Sequence, residues 1–167
     1  MKLVPVNSIP KAETVAIDNL NKLYSIFLDM QKICIKENGI GLSAVQIGIP
    51  LNLFIVKDIS QNNVFNYYLN CNYKSLLQEK DIFVLEGCLS IRENNFLKYF
   101  RVPRYSTILV NGSQLKVNRD SLSIVNMDNV VLNDFLSIVF QHEIDHANGI
   151  LISDIGKSIN LVGESKC

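Results

Sequence analysis

The sequence predicts an α+β fold, in which antiparallel sheets are joined by a long N-terminal helix and a second, more central helix. Three observations carry this reading. Residues from about Lys11 to Glu37 contain neither Gly nor Pro, and Leu20, Leu23, Tyr24, Phe27, Gln31, Cys34 and Ile35 recur at near-helical intervals. Short runs rich in β-branched and aromatic residues then follow one another, separated by turn residues. A last apolar stretch, from about Asn133 to Asn148, again has the length of a helix. Helices and strands are thus segregated, without the strand–helix alternation that builds a parallel sheet.

Each element has a local cause. The first helix stops at Asn38-Gly39, with glycine just past the last turn. LNLFIVK at 51–57, VFNYYLN at 64–70 and STILV at 106–110 read as strands. Asn111-Gly112 is a hairpin-type turn signal, with LKV and SLSIV as further antiparallel strands beyond it. Asn133 caps the second helix, Gly149 closes it, and Phe135, Leu136, Ile138 and Val139 are expected to pack it on the sheet. The final stretch, GKSINLVGESKC, does not read as a helix.

The chain has 167 residues, is 48% hydrophobic, and shows no linker, repeat or low-complexity block, so one domain over residues 1–167 is expected. Sixteen basic and sixteen acidic residues cancel, and no basic run is present, which argues against a nucleic-acid partner. No apolar stretch approaches the ~18 residues that span a bilayer, and the N-terminus has neither signal-peptide nor transit-peptide character. The four cysteines form no CxxC pair and suit a reducing compartment. A soluble, intracellular protein without a membrane partner is expected.

The stretch QHEIDHANG at 141–149 holds both histidines of the chain. Four residues apart on a helix, His142 and His146 share a face and can reach one metal ion. Glu143 then lies beside that ion, where a carboxylate can take a proton from water. Chance produces this arrangement on the order of five times in ten thousand. The HExxH helix is therefore read as metal-binding, and it needs a third ligand. A histidine six residues after His146 is excluded, because position 152 is Ile, and Glu164 lies in the non-helical tail. Upstream, EGCLS at 86–90 offers a thiolate, with Gly87 permitting close backbone approach and a turn to aim the sulfur. Alone, Cys88 reads as a core residue; beside an incomplete two-histidine site it becomes the preferred third ligand, with a fourth position left for water.

EGCLS at 86–90, HEIDH at 142–146 and GIGLSAVQ at 39–46 resemble, in order and approximate spacing, the three signature motifs of peptide deformylase. The resemblance covers Gly39 to Gly149. It implies a metal-dependent hydrolase that removes the N-formyl group from the N-terminal formylmethionine of newly made polypeptides, releasing formate. It implies Cys88, His142 and His146 as ligands of one divalent ion and Glu143 as general acid/base. It further implies the Gln46 side-chain amide and the Leu89 backbone N–H as donors to the developing oxyanion. Substrate-binding residues follow from it too. Backbone groups of Ile40, Gly41 and Gly87 hold an extended peptide, as in strand addition, while Ile40, Phe135, Ile138 and Val139 surround the methionine side chain. Arg104, grouped with them, meets Glu86 and fixes the Cys88 loop. Ferrous iron is the implied working ion; Zn²⁺, Ni²⁺ and Co²⁺ suit the same ligands.

The match departs in places. Ser43 stands where alanine is usual, and Arg92 where proline commonly follows the Cys-Leu-Ser segment. The segment after His146 is short, as in bacteriophage-encoded forms, so no ribosome-docking helix is expected. The expected partners are N-formylmethionyl peptides, and the expected state is a monomer in the cytoplasm, the host's cytoplasm if the chain is phage-encoded. Two other readings remain: an HExxH metallopeptidase, and a catalytically inactive peptide-binding metal protein. EGCLS and GIGLSAVQ oppose the first; the presence of Glu143, Gln46 and Cys88 opposes the second.

Overall fold

Leu53, Phe54, Ile55 and Val56 are apolar in succession because helices cover both of their faces. Leu53 and Ile55 pack with Phe27, Met30 and Cys34 of the first helix, whereas Phe54 and Val56 pack with Phe140 and Ile144 of the second. The computed structural model describes residues 1–61, 64–119 and 121–159. Its strands are β1 (Gly41–Ser43), β2 (Leu53–Lys57), β3 (Phe65–Ser75), β4 (Ile82–Glu93), β5 (Phe96–Arg104), β6 (Thr107–Asn118), β7 (Ser121–Asn133) and β8 (Lys157–Ile159). They form a five-stranded sheet in the order β1-β2-β3-β6-β7 and a three-stranded sheet in the order β4-β5-β8. Every strand pairing is antiparallel, as the α+β reading requires. The helices are α1 (Leu20–Lys36), α2 (Asp134–Ala147) and the short α3 (Ile152–Ile155). None of them is long and apolar enough to cross a membrane.

Helix α1 begins at Leu20, not near Lys11. The Asn19 side chain accepts a hydrogen bond from the Lys22 N–H at 2.9 Å and so starts the helix. The preceding residues are held extended instead: Ala12 N–H donates to the Ala147 carbonyl at 3.0 Å, and the Asn70 side chain clamps both backbone groups of Val15. Propensity left these residues helical; tertiary hydrogen bonds took them elsewhere. Along α1, Phe27 and Met30 are fully buried, and each contributes about 1.5–3 kcal/mol of hydrophobic stabilisation. At its end, Asn38 adopts the left-handed conformation (φ 55°), so the helix stop is asparagine's rather than glycine's.

Asn111-Gly112 is not a hairpin turn. It lies inside β6, where the ladder shifts register against both neighbours. Asn70 on β3 (φ 52°) and Asn129 on β7 (φ 50°) are the left-handed residues beside it, and the Asn111 side chain accepts from the Asn129 N–H at 2.9 Å. This seam of bulges turns β3 over, so that Leu69 faces the α1 core and Cys71 the α2 core. The local signal for a left-handed residue was sound, but bulges use it as readily as turns. The chain reverses instead between Asn118 and Ser121.

Two further expectations change. Asn133 stands at the N-cap of α2 without capping it; its Oδ1 accepts from the Thr107 hydroxyl at 2.8 Å. The face of α2 against the sheet is that of Ser137, Phe140, Gln141 and Ile144, with half-buried Val139 packed on the same core as expected, while Phe135 and Leu136 are exposed and Ile138 is half-buried. After α2, α3 and β8 extend the smaller sheet; Glu164 lies outside the described residues.

Gly112 has φ 153°, and a Cβ there would sit 2.6 Å from the Cys71 sulfur and 2.8 Å from its Cα. Gly112→Ala is expected to lower stability by about 2 kcal/mol or more, read as a shift of the denaturant midpoint at unchanged m-value.

Candidate metal centre and peptide cleft

The period of α2 brings the His142 and His146 rings together edge to face, with centroids 4.8 Å apart. Their Nε2 atoms face each other at 3.2 Å. The third donor comes from β4, by a route the sequence did not show. The β4–β5 ladder runs from Ile82↔Arg104 to Gly87↔Tyr99 and resumes only at Arg92↔Leu97, so residues 88–91 oppose Lys98 alone. Cys88 therefore sits in a strand bulge, not a turn, and its sulfur lies 3.2 Å from His146 Nε2. All three donor atoms fall within 4.8 Å of one another. Tetrahedral coordination at ordinary Zn–N and Zn–S lengths spaces such atoms about 3.4–3.6 Å apart, so the set fits one small divalent ion.

The electrostatics favour a cation here. Burial by itself would lower the His142 pKa, but the Cys88 sulfur and the Glu86 carboxylate outweigh it and hold the imidazole well above its usual range. His146 is pushed well below that range, by burial first and by His142 second, which keeps it in the neutral form that ligates metals.

A buried charge network aims these ligands. Glu86 Oε2 meets His142 Nδ1 at 2.8 Å. The Arg104 guanidinium forks onto Glu86 at 2.7 and 3.0 Å, and its remaining arm pairs with Asp145 of α2. Burial raises the Glu86 carboxyl, yet hydrogen bonds from His142 and Arg104 win and hold it down to about 2. Arg104 is fully buried and does not line the cleft, so its expected grouping with the substrate-binding residues is corrected. Its contacts act on Glu86 and the helix.

Glu143 is 3% exposed, and its Oε1 occupies the space that a side chain at position 41 would fill. A Cβ on Gly41 would lie 2.3 Å from that oxygen. Its Oε2 has no hydrogen-bond partner among the described residues. Burial pushes this carboxyl up to about 7, with His142 opposing and Glu86 adding. Gln46, in a 3-10 turn over Ala44–Ile47, is oriented by its oxygen, which accepts from the Ser43 N–H at 2.9 Å. Its amide nitrogen then donates to Ser90 Oγ at 3.0 Å and approaches the Cys88 sulfur at 3.5 Å.

A cleft opens onto these groups. Ile40, Gly41, Gln46, Gly87, Leu89, Phe135, Ile138 and Val139 line it, together with His142 and Glu143. Gly41 belongs to the edge strand of the larger sheet and Gly87 to the edge strand of the smaller one, so two strand edges border the opening. Several participants escaped sequence reasoning. Asn38, Leu85, Leu97 and Tyr99 also line the cleft. Gln141 ties α2 to Tyr105, accepting from its N–H at 3.0 Å and donating to its carbonyl at 2.8 Å. Asp145 and Gln141 stand inside the motif QHEIDH, so their polarity on a helix that must pack was the available signal.

The chain is similar to known proteins of one family. The family model described as polypeptide deformylase matches residues 7–160. The peptide deformylase of Buchnera aphidicola is 37% identical over 133 residues, covering 80% of this chain and 69% of that protein. That of Desulfotalea psychrophila is 34% identical over 146 residues, covering 86% and 79%. Among solved structures, a probable peptide deformylase from Synechococcus phage S-SSM7 superposes with a TM-score of 0.73 at 24% identity, covering 93% of this chain and 99% of that one. The peptide deformylase of Synechococcus elongatus, solved with actinonin, also gives a TM-score of 0.73 at 24% identity, covering 94% and 80%.

Two expectations follow from the site. Cys88→Ser, His142→Ala and His146→Ala each lose bound metal, measured by elemental analysis of the purified variants; stoichiometric metal in Cys88→Ser would remove the thiolate from the ligand set. Arg104→Met leaves Glu86 and Asp145 without their counter-charge in the interior and costs about 3–5 kcal/mol, read from equilibrium unfolding.

Proposed function

The chain belongs to the polypeptide deformylase family, whose metal-dependent reaction removes the formyl group from N-formylmethionyl peptides, and from that premise we propose how its own residues carry this reaction. The observation that carries the assignment is the convergence of Cys88 Sγ, His142 Nε2 and His146 Nε2 within 4.8 Å, beside the buried carboxylate of Glu143. Cys88, His142 and His146 hold the ion. When bound, it supplies a Lewis acid that polarises the formyl carbonyl and lets water lose a proton near neutral pH.

Glu143 takes that proton at its carboxylate as the water oxygen bonds to the formyl carbon. Its burial and its raised pKa of about 7 suit a group that must both accept and return a proton. It gives the proton to the amine that departs as the C–N bond breaks, leaving formate and a free N-terminus. The Gln46 amide nitrogen, fixed by the bond from Ser43 N–H to its oxygen, and the Leu89 backbone N–H are the donors to the oxyanion that develops at the formyl carbon. The peptide lies extended between the edges at Ile40–Gly41 and Gly87, bonding through its backbone. Its methionine side chain enters among Ile40, Phe135, Ile138 and Val139, where an unbranched, polarisable chain packs well.

Fe²⁺ is the proposed working ion, with Zn²⁺, Ni²⁺ and Co²⁺ accepted by the same ligands. We further propose that the protein acts on free formyl peptides as a monomer in the cytoplasm. The test is formate release from formyl-Met-Ala by protein purified anaerobically and loaded with each ion. Formate should appear, and acetyl-Met-Ala should not be cleaved; no release with any ion would refute the assignment. Glu143→Gln is expected to retain metal and lose turnover by at least ~10²-fold, whereas near-normal turnover would demote Glu143 to a tuning role.

A further inference from the structure

We infer that Arg92 is a positioning residue for the proposed reaction, holding the Cys88–Ser90 bulge in shape and bracing it against the end of α1. The inference rests on the assignment of Leu89 as an oxyanion donor. Arg92 stands where the β4–β5 ladder resumes after the bulge. Its guanidinium reaches back, with Nε donating to the Leu89 carbonyl at 3.2 Å and Nη1 to the Asn95 carbonyl at 3.2 Å. The third arm, Nη2, pairs with Glu37 Oε2 at 2.9 Å, at the C-cap of α1.

These contacts join the two walls of the cleft. Glu37 is followed directly by Asn38, Gly39, Ile40 and Gly41, which form one wall; Leu89 and Gly87 belong to the other. The walls meet where Gly39 faces Leu89, since a Cβ on Gly39 would lie 2.8 Å from Leu89 Cδ1. Residues 88–91 lie outside the regular register of the ladder, so their peptide planes depart from the repeat that fixes the residues on either side. Arg92 anchors the Leu89–Ser90 peptide plane, the next one along the chain from the Cys88–Leu89 plane whose N–H the reaction uses, and so limits rotation at Leu89.

Charge is the lesser part of this role. The Arg92 side chain is one-third exposed, and an ion pair so placed is screened by solvent. What only arginine provides is a planar fork that reaches three acceptors together; a lysine ammonium at the end of a flexible stem does not. At the tip of this hairpin Glu93 and Lys98 pair with each other at 3.5 Å.

The test compares Arg92→Ala, Arg92→Lys and Glu37→Gln with the parent protein. Metal content, thermal melting, kinetics on formyl-Met-Ala and amide hydrogen exchange across residues 88–91 are measured for each. Arg92→Ala and Arg92→Lys should lower kcat roughly tenfold with KM within about twofold, less than the ~10²–10³ that follows outright removal of an oxyanion donor. Metal content and melting should hold, and exchange at residues 89–91 should quicken. Glu37→Gln keeps both carbonyl bonds and should retain kcat within about twofold. The inference is overturned by unchanged kcat and exchange in Arg92→Ala, by full activity in Arg92→Lys, or by losses that track metal or melting. Should Arg92→Ala fail to fold, Arg92→Lys decides. Absence of formate release from the parent protein would count against the assigned function instead, and the exchange data would still decide whether Arg92 holds the bulge.

Discussion

The interior of this protein is organised around one buried cation. Arg104 closes β5 with no exposed surface, and a guanidinium there is tolerated only because its donors are spent on Glu86 of β4 and Asp145 of α2. The elements it joins are the ones that carry Cys88 and both histidines. Through Glu86 the constraint reaches the site itself, because that carboxylate also meets His142 Nδ1. Held to about 2, Glu86 remains an acceptor across the physiological range and orients the His142 ring through Nδ1, with Nε2 turned toward His146. Asp145 is held in turn by the Tyr73 hydroxyl at 3.3 Å, which extends the network into β3 of the larger sheet. Shape and ligand chemistry are thus set by one chain of contacts.

The cleft arises from how two sheets end. The helix α2 packs on the larger sheet and turns its two histidines toward the smaller one, so the edge strands β1 and β4 border the groups proposed as catalytic. Edge strands leave backbone groups unpaired, and a cleft between two of them suits an extended peptide. Glu143 fits beneath β1 only because residue 41 lacks a side chain. Strand bulges supply the remaining geometry. One takes residues 88–91 out of the ladder and swings Cys88 toward the histidines; another turns β3 and β6 over, so that one sheet serves two cores.

Asparagine performs much of the left-handed backbone work. Asn38, Asn70, Asn94, Asn95 and Asn129 all have positive φ, in a chain with eight glycines. Asparagine tolerates this conformation because its short polar side chain bonds locally or nearby. At Asn70 the same side chain also clamps Val15. A residue chosen for its backbone thereby gains a tertiary role, and the N-terminal segment is drawn out of the helix it would otherwise extend.

The sequence alone determined what lies within a few turns of chain. His142, Glu143 and His146 had to share a helix neighbourhood, because the α-helical period sets that relation whatever surrounds it. The strand at LFIV, the stop near Asn38 and the α+β order were legible for the same local reason. Tertiary structure decided the rest. Phe135, Ile138, Val139, Phe140 and Ile144 are all apolar, so periodicity could not tell which of them meets the sheet and which the cleft. Cys88 stood in a segment without strand alternation, and only pairing with β5 made it a bulge. Local sequence leaves Arg104 an ordinary surface charge; the resemblance pairs it with Glu86, 18 residues away, but only the fold buries it and adds Asp145, 41 residues away. A charge's environment is a property of partners brought together by folding, and local sequence cannot encode it.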